Sequence, residues 1–324
     1  MRLIKTEDAV GHVLCHDMTQ IIKDQYKDAR FRKGHVVTEE DIPVLLSMGK
    51  EHLYVWEMTP GMVHENDAAE RLLALCGQEN MIRSGVKEGK IELKAACDGV
   101  FLVDSARLVA VNSQDEVMIA TRKGGMAVRE GDKLAGMRVI PLIIEEEKLR
   151  KAEQAAGDKP LLSLKPYVRK TACIVATGGE VKKGLIKDTF TPVVIDKLKT
   201  YGIETLEVVY SGDGVENVRD AVLAMREKKP DMILCTGGMS VDPDDNTPGG
   251  IKAAGANIIA YGAPVLPGAM FLLGYFDDGM PVMGLPGCVM YAGATVFDLV
   301  LPKIAADVPV TRADLAALGE GGLC

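Results

Sequence analysis

No apolar run in the chain approaches the ~18–20 residues that cross a bilayer, and the first residues, MRLIKTEDAV, lack the apolar stretch of a secretory signal. Aromatic residues are scarce, 5% of 324, and acid exceeds base, 46 Asp and Glu against 38 Lys and Arg, for a net charge of −8. No basic stripe interleaved with aromatics occurs, which excludes a general nucleic-acid surface. C-x-x-C pairs are also missing. Cys15, Cys76, Cys97, Cys173, Cys235, Cys288 and Cys324 are scattered, and their odd number and apolar neighbours fit reduced, buried thiols. These absences lead us to expect a cytoplasmic protein that engages neither nucleic acid nor membrane.

What is present is ordinary globular material, 47% hydrophobic and 26% charged. The length suits two or three domains. From about residue 171 the pattern alternates. TACIVATGG reads as a buried strand entering a glycine turn, and TFTPVVIDKLKTY as a helix near 189–201. IETLEVVYSGD is a second strand, and GVENVRDAVLAMREKK a helix with apolar spacing at Val218, Val222 and Met225. DMILCTGG is a third strand, followed by a short helix near 246–254 with Thr247 as N-cap and Pro248 at its first position. NIIAYGAPVLPG reads as a strand, MFLLGYFDDGMPVMGLPG as a hairpin turned by Asp278-Gly279, and the stretch after Cys288 as a closing helix. Alternating strands and helices predict an α/β, three-layer domain with a mostly parallel sheet. Ligands of such sheets bind beyond the carboxyl ends of the strands.

Residues before 150 read differently. Thr38 is expected to cap a helix with Asp41 in its first turn, and HENDAAERLLALCG is a second amphipathic helix. Residues 91–144 are rich in short strands and glycine turns, with Arg122-Lys123-Gly124-Gly125 as a hairpin tip. A charged helix over 145–160 ends in a Gly/Pro linker. The expected division is an N-terminal α/β module (1–60), a helix plus a small β-rich module (61–150), a ligand-binding domain (160–310) and a tail (311–324).

The stretch CTGGMSVDPDDNTP combines glycines with carboxylates behind a buried strand. Glycine lets backbone N–H groups approach an anion, whereas carboxylates repel one. A divalent cation between them reconciles the two. The triplet Thr-Gly-Gly also occurs twice, at 177–179 and 236–238, each after a short apolar run. Both turns would sit at strand carboxyl ends beside helix N-termini.

These residues resemble the molybdopterin-binding domain of molybdenum-cofactor biosynthesis proteins: the molybdopterin adenylyltransferases, the molybdopterin molybdenumtransferases and gephyrin. The resemblance covers about 171–306. It rests on Thr177-Gly178-Gly179-Glu180, on Gly184-Leu185-Ile186-Lys187-Asp188, and on a reduced turn Tyr210-Ser211-Gly212-Asp213-Gly214. It rests also on the loop from Thr236-Gly237-Gly238-Met239-Ser240 to Asp245-Asn246-Thr247, and on Gly284-Leu285-Pro286-Gly287. It implies a pterin dithiolene carrying a phosphate or an adenylyl pyrophosphate. Gly237, Gly238 and Ser240 would present donors to its oxygens, and Thr177, Gly178, Gly179, Asp188, Thr236, Thr247, Pro267, Gly268, Gly284, Leu285, Pro286 and Gly287 would complete the binding set. Asp245, Asp213 and Glu180 would hold Mg²⁺ and serve catalysis, since hard oxygen ligands suit magnesium. Asp242 and Asp244 read as solvated turn residues.

Some family positions differ here. P-G-K-P is Pro267-Gly268-Ala269-Met270, and L-P-G-N-P is Leu285-Pro286-Gly287-Cys288-Val289, so a lysine and an asparagine are absent. The molybdenumtransferases' glycine-threonine motif is missing from residues 1–150. Elsewhere, His12 and His16 are four apart, but Gly11 and Val13 suggest strand or turn, where the rings diverge. Cys288 follows Gly287 at an expected helix N-terminus, which would lower its pKa, although a packing role is the simpler reading.

The resemblance implies molybdenum insertion into adenylylated molybdopterin with magnesium, by a homo-oligomer. Its alternative is a non-catalytic carrier or sensor of the finished cofactor for a client molybdoenzyme. An adenylyltransferase is disfavoured because those relatives are usually a single domain, and a nucleotide-handling relative of the same fold is a more distant reading.

Overall fold

The computed structural model describes residues 2–22, 26–55, 60–182, 185–240 and 245–323. Its contacts divide the chain into two units. The first comprises residues 1–96, 103–124 and 130–163; the second, residues 97–102, 125–129 and 164–324.

In the first unit, Arg2–Lys5 pairs antiparallel with His52–Val55, and Met18–Ile22 with Tyr26–Phe31. A small core of Ile4, Ala9, Leu14, Met18, Phe31, Val37, Leu45, Leu53 and Val55 lies among them. The helix expected from Thr38 begins later, at Asp41. The capping bond runs the other way: the Asp41 carboxylate accepts from the Thr38 N–H and hydroxyl, both at 2.8 Å. A four-stranded antiparallel sheet orders Met81–Arg83, Ile91–Ala95, Lys133–Val139 and Val117–Thr121. Helices Glu65–Cys76 and Glu146–Ala156 turn Leu72, Leu73, Leu149 and Ala152 inward. A further helix, Ser105–Asn112, interrupts the strand-rich stretch, capped by Asp104 accepting from the Arg107 N–H. Residues 122–125 are not a hairpin tip, because Val117–Thr121 pairs with Lys133–Val139 while Met126–Val128 pairs with Gly99–Val103.

Elements of the second unit are numbered within it. They are β1 (Thr171–Thr177), α1 (Gly179–Lys182), α2 (Phe190–Lys199), β2 (Glu204–Ser211), α3 (Val215–Glu227), β3 (Met232–Thr236), α4 (Thr247–Ala253), β4 (Asn257–Tyr261), β5 (Leu272–Tyr275), β6 (Pro281–Leu285), α5 (Val296–Ala305) and α6 (Arg312–Ala317). The sheet order is β2-β1-β3-β6-β5-β4. Neighbours β2, β1, β3 and β6 pair in parallel, and β5 is antiparallel to both β6 and β4. Tyr261 thus ends β4 at the same edge as the other strand termini.

The period-2 alternation of a buried strand explains the layers. Ala172, Ile174, Met232, Leu234, Met283 and Leu285 face one side, where they pack with Val194 and Leu198 of α2 and with Val300, Leu301 and Ile304 of α5. Cys173, Val175, Ile233, Cys235 and Val282 face the other, against Val218, Val222 and Met225 of α3 and Ile251 of α4. The apolar spacing read in α3 is therefore its buried stripe. The result is the three-layer α/β domain with a mostly parallel sheet. Each fully buried aliphatic side chain contributes about 1.5–3 kcal/mol, and Ile174→Ala would cost about 2–5 kcal/mol through the cavity it leaves. The hairpin at Asp278-Gly279 forms as expected, with the Phe276 N–H donating to the Met280 carbonyl. Residues after 310 are held to the domain by α6 and by a bridge between Leu266 and Leu323.

Cys15, Cys76, Cys173 and Cys235 are buried thiols, and Cys97 and Cys288 are half-buried. No described helix is long and apolar enough to cross a membrane.

Candidate functional site

The register of the parallel strands lines up the motif turns. Thr177 of β1 pairs with Ser211 of β2, Ala176 with Thr236 of β3, and Thr236 with Leu285 of β6. The turns that follow therefore form one row at the carboxyl edge: Gly212-Asp213, then Gly178-Gly179, then Gly237-Gly238, then Pro286-Gly287. Residues far apart in sequence are brought together because each motif was placed directly after a strand.

The two Thr-Gly-Gly turns lock onto each other. The Thr177 hydroxyl donates to the Thr236 carbonyl at 2.9 Å and lies 3.2 Å from the Thr247 hydroxyl. The Thr247 hydroxyl donates to the Gly237 carbonyl at 2.9 Å. Thr236 and Thr247 are buried. A Cβ on Gly237 would come within 2.5 Å of the Thr177 carbonyl oxygen, and one on Gly238 within 2.7 Å of the Thr247 hydroxyl. Glycine at these positions is required for turn-to-turn contact. Thr247 is not the N-cap of α4. Asn246 holds that place, and Thr247 is the first helical residue, its hydroxyl turned to Gly237.

The acids divide into tied and untied groups. Asp213 accepts from the Gly179 N–H at 2.9 Å through Oδ2. Asp188 accepts from the Phe190 and Thr191 N–H groups through Oδ1, at 2.9 and 3.0 Å, and from the Tyr210 hydroxyl at 3.1 Å through Oδ2. Burial raises the Asp188 pKa, but the hydrogen bonds from Thr191, Phe190 and Tyr210 outweigh it and hold the carboxyl below its usual range. Asp188 is thus engaged in starting α2. Asp245 is half-buried and has no hydrogen-bond or ion-pair partner among the described residues. The phenol of Tyr261 is pushed up by burial and then by the Asp245 charge. The Tyr261 hydroxyl donates to the Met239 carbonyl at 2.9 Å, directly after the second Thr-Gly-Gly turn. Tyr261 was missed in the sequence. Its one signal was its place at a strand's last residue, immediately before a glycine.

The remaining residues of the expected set are placed as follows. Ser240 is exposed and follows the buried Met239, whose thioether packs where a Cβ of Gly284 would stand. The side chain of Leu285 is in the core. Gly268 is buried against Val296, and the peptide bond from Leu266 to Pro267, just before it, is cis. Gly287 is exposed with open space around it. Cys288 does not have a lowered pKa: burial raises it. His12 and His16 lie outside any helix, on irregular and bent backbone either side of the bridge residues Val13 and Leu14, with His12 exposed and His16 half-buried. The Glu180 side chain, Gly184, Asp242 and Asp244 lie outside the described residues. Among the described residues no group of three or more His, Cys, Asp or Glu gathers to hold a metal. Asp213 and Asp245 offer hard carboxylate oxygens on turns either side of Gly178-Gly179, which is the donor chemistry that magnesium accepts.

Residues 173–306 match the family model described as a probable molybdopterin binding domain. The C-terminal domain is of the molybdopterin-binding family. Residues 3–57 match a domain of unknown function (DUF8806). A CinA-like protein of Mycobacterium tuberculosis is 33% identical over 76 residues, 24% of this chain and 18% of that protein. This chain therefore matches less than a fifth of that relative's length. Solved structures similar to part of this chain include the protein CinA of Thermoplasma acidophilum, at 18% identity over 42% of this chain and 98% of that one, TM-score 0.36. The molybdopterin biosynthesis Mog protein from Mycobacterium ulcerans is 20% identical over 43% of this chain and 99% of its own, TM-score 0.36.

Proposed function

We propose that the chain binds molybdopterin along the row of glycine turns and acts in molybdenum-cofactor maturation, releasing AMP from adenylylated molybdopterin as molybdate is inserted. The observation that carries this is the convergence of both Thr-Gly-Gly turns and an untied Asp245 at one sheet edge. In this reading the backbone N–H groups of the turns and the Ser240 hydroxyl orient the phosphate oxygens. Asp245, Asp213 and Glu180 hold Mg²⁺, whose charge offsets that of the pyrophosphate. Asp245 is poised for this because no bond to another described residue must be broken to free its oxygens. The phosphoanhydride bond breaks, water supplies the new oxygen, AMP leaves, and the pterin retains its phosphate. The protein works as a cytoplasmic homo-oligomer, as is usual for enzymes that resemble it.

A second reading, a carrier or sensor that delivers finished cofactor to a client molybdoenzyme, draws support from Ala269 and Cys288, which stand where the motifs carry lysine and asparagine. One experiment separates the two. Purified full-length protein is incubated with adenylylated molybdopterin, Mg²⁺ and molybdate, and AMP and molybdenum-loaded pterin are quantified. Molybdate-dependent AMP release supports maturation. Pterin retention without AMP supports the carrier, and neither would refute both.

A further inference from the structure

The row of turns presents more acid than an anionic ligand tolerates unaided. Asp213 and Asp245 face the same edge, and the position where the motif offers lysine is Ala269. A cation from elsewhere in the chain answers this. Lys182 ends α1, and its own N–H donates to the Gly178 carbonyl at 3.0 Å, so the residue is fastened to the first glycine turn. Its side chain then runs across to the neighbouring turn. A Cβ on Gly212 would stand 3.9 Å from the Lys182 Cδ and 3.8 Å from its Nζ. Gly212 leaves the channel in which the lysine stem lies, and the ammonium comes to rest beside the turn that carries Asp213. Lys182 is exposed and forms no ion pair among the described residues, whereas the Asp213 carboxylate already accepts from Gly179. The charge is therefore left for a ligand.

We propose that Lys182 recognises the phosphate of the bound pterin and so makes the site selective for phosphorylated over dephosphorylated pterin. The inference rests on the proposed pterin site. Lys182 is a specificity-determining contact: an ammonium reaching over a glycine turn adds a charge-assisted hydrogen bond to a phosphate oxygen.

The test is a binding titration of full-length protein with molybdopterin and with the same pterin after phosphatase treatment. It compares wild type, Lys182→Ala and Lys182→Arg. The alanine variant should lose about tenfold in affinity for the phosphorylated pterin, the size of one charged contact, and nothing for the dephosphorylated one. Arginine keeps the charge and should stay within about threefold of wild type. Added salt should weaken wild-type binding more than that of the alanine variant. Equal affinities of wild type and Lys182→Ala for the phosphorylated pterin would overturn the role of Lys182 and leave the site standing. A wild type that binds neither pterin would overturn the site, and Lys182 with it.

Discussion

The turn after β1 and the turn after β3 share the triplet Thr-Gly-Gly, yet their glycines meet different neighbours. In the second turn Gly237 and Gly238 are pressed against Thr177 and Thr247, with no room for a side chain. In the first turn an added Cβ on Gly178 would meet only a methyl of Val181 at 3.9 Å, and one on Gly179 would meet the tip of the Asp213 carboxylate. The acids follow the same division. Asp213 and Asp188, beside the first turn, each accept from backbone N–H groups, Asp188 also from the Tyr210 hydroxyl, whereas Asp245, beyond the second, accepts from none among the described residues. The same triplet thus makes an open turn flanked by tied acids in one place and a tightly packed turn ahead of an available carboxylate in the other.

The sharpest way to break this comparison is Asp245→Asn. Asparagine keeps the size and one oxygen but removes the charge. If the untied carboxylate holds magnesium at the pyrophosphate, AMP release should fall about 10²–10³-fold, with pterin affinity unchanged or slightly tighter. Single-turnover AMP formation measures it. Wild-type rates in the variant would place Asp245 with the scaffold.

Next in size are two alanine substitutions that probe the glycines directly. Gly237→Ala sets a Cβ against a backbone carbonyl at a φ of +83°. We expect a loss of about 3 kcal/mol, or roughly 6–12 °C in Tm for a unit of this size. Gly179→Ala meets only the end of a movable side chain, and should cost about 1 kcal/mol as Asp213 swings aside and its hydrogen bond is lost. Thermal denaturation of both variants checks the order, and equal losses would erase the difference between the turns.

The threonines test whether the turns act as one unit. Thr247→Val removes the donor to the Gly237 carbonyl in a partly buried place, at a cost of about 1 kcal/mol. Thr177→Val removes the donor to Thr236. Because the two hydroxyls share a network, the double variant should lose less than the sum of the singles, by about 0.5–1 kcal/mol. Strict additivity in denaturant titrations would mean that the turns are independent.

The second unit's sheet was legible because buried strands, glycine turns and amphipathic helices announce themselves by period, and the stripe Val218, Val222, Met225 was read correctly for that reason. The row of motif turns was legible too, since each followed an apolar run. Side-chain partners were not. Thr247 and Thr38 have the same look as any N-cap in the sequence, but contact between turns directs Thr247 to Gly237, and in the local Thr38–Asp41 pair the carboxylate is the acceptor. Asp188 resembled a ligand-binding acid and is occupied with α2. Cys288 lies in a short 3-10 helix, Gly287–Met290, where burial, raising its pKa, outweighs help from the backbone. Tyr261 and Lys182 lay outside the motif reading because their positions depend on strands and turns pairing across the sheet. The transfer of 97–102 and 125–129 to the second unit has no local signature at all.

The smallest effect expected concerns the tied acid of the first turn, Asp188. Burial alone would raise its pKa, but the hydrogen bonds it accepts hold the folded-state value below the unfolded one. A carboxyl with a depressed folded pKa contributes stability that is complete above its unfolded value, near ~3.9, and is lost as pH falls through the folded value. Asp188→Asn retains an oxygen for the Phe190 and Thr191 N–H groups, so at neutral pH it should cost less than about 1 kcal/mol. It removes the titration, however. The stability gap between wild type and variant should therefore be constant from pH 5 to 7 and narrow as the pH drops below ~4. Denaturant midpoints of both proteins across that range measure it. A gap that stays constant into acid would mean that the hydrogen bonds to Asp188 do not depend on its charge, and that the acids beside the two turns differ less than their geometry indicates.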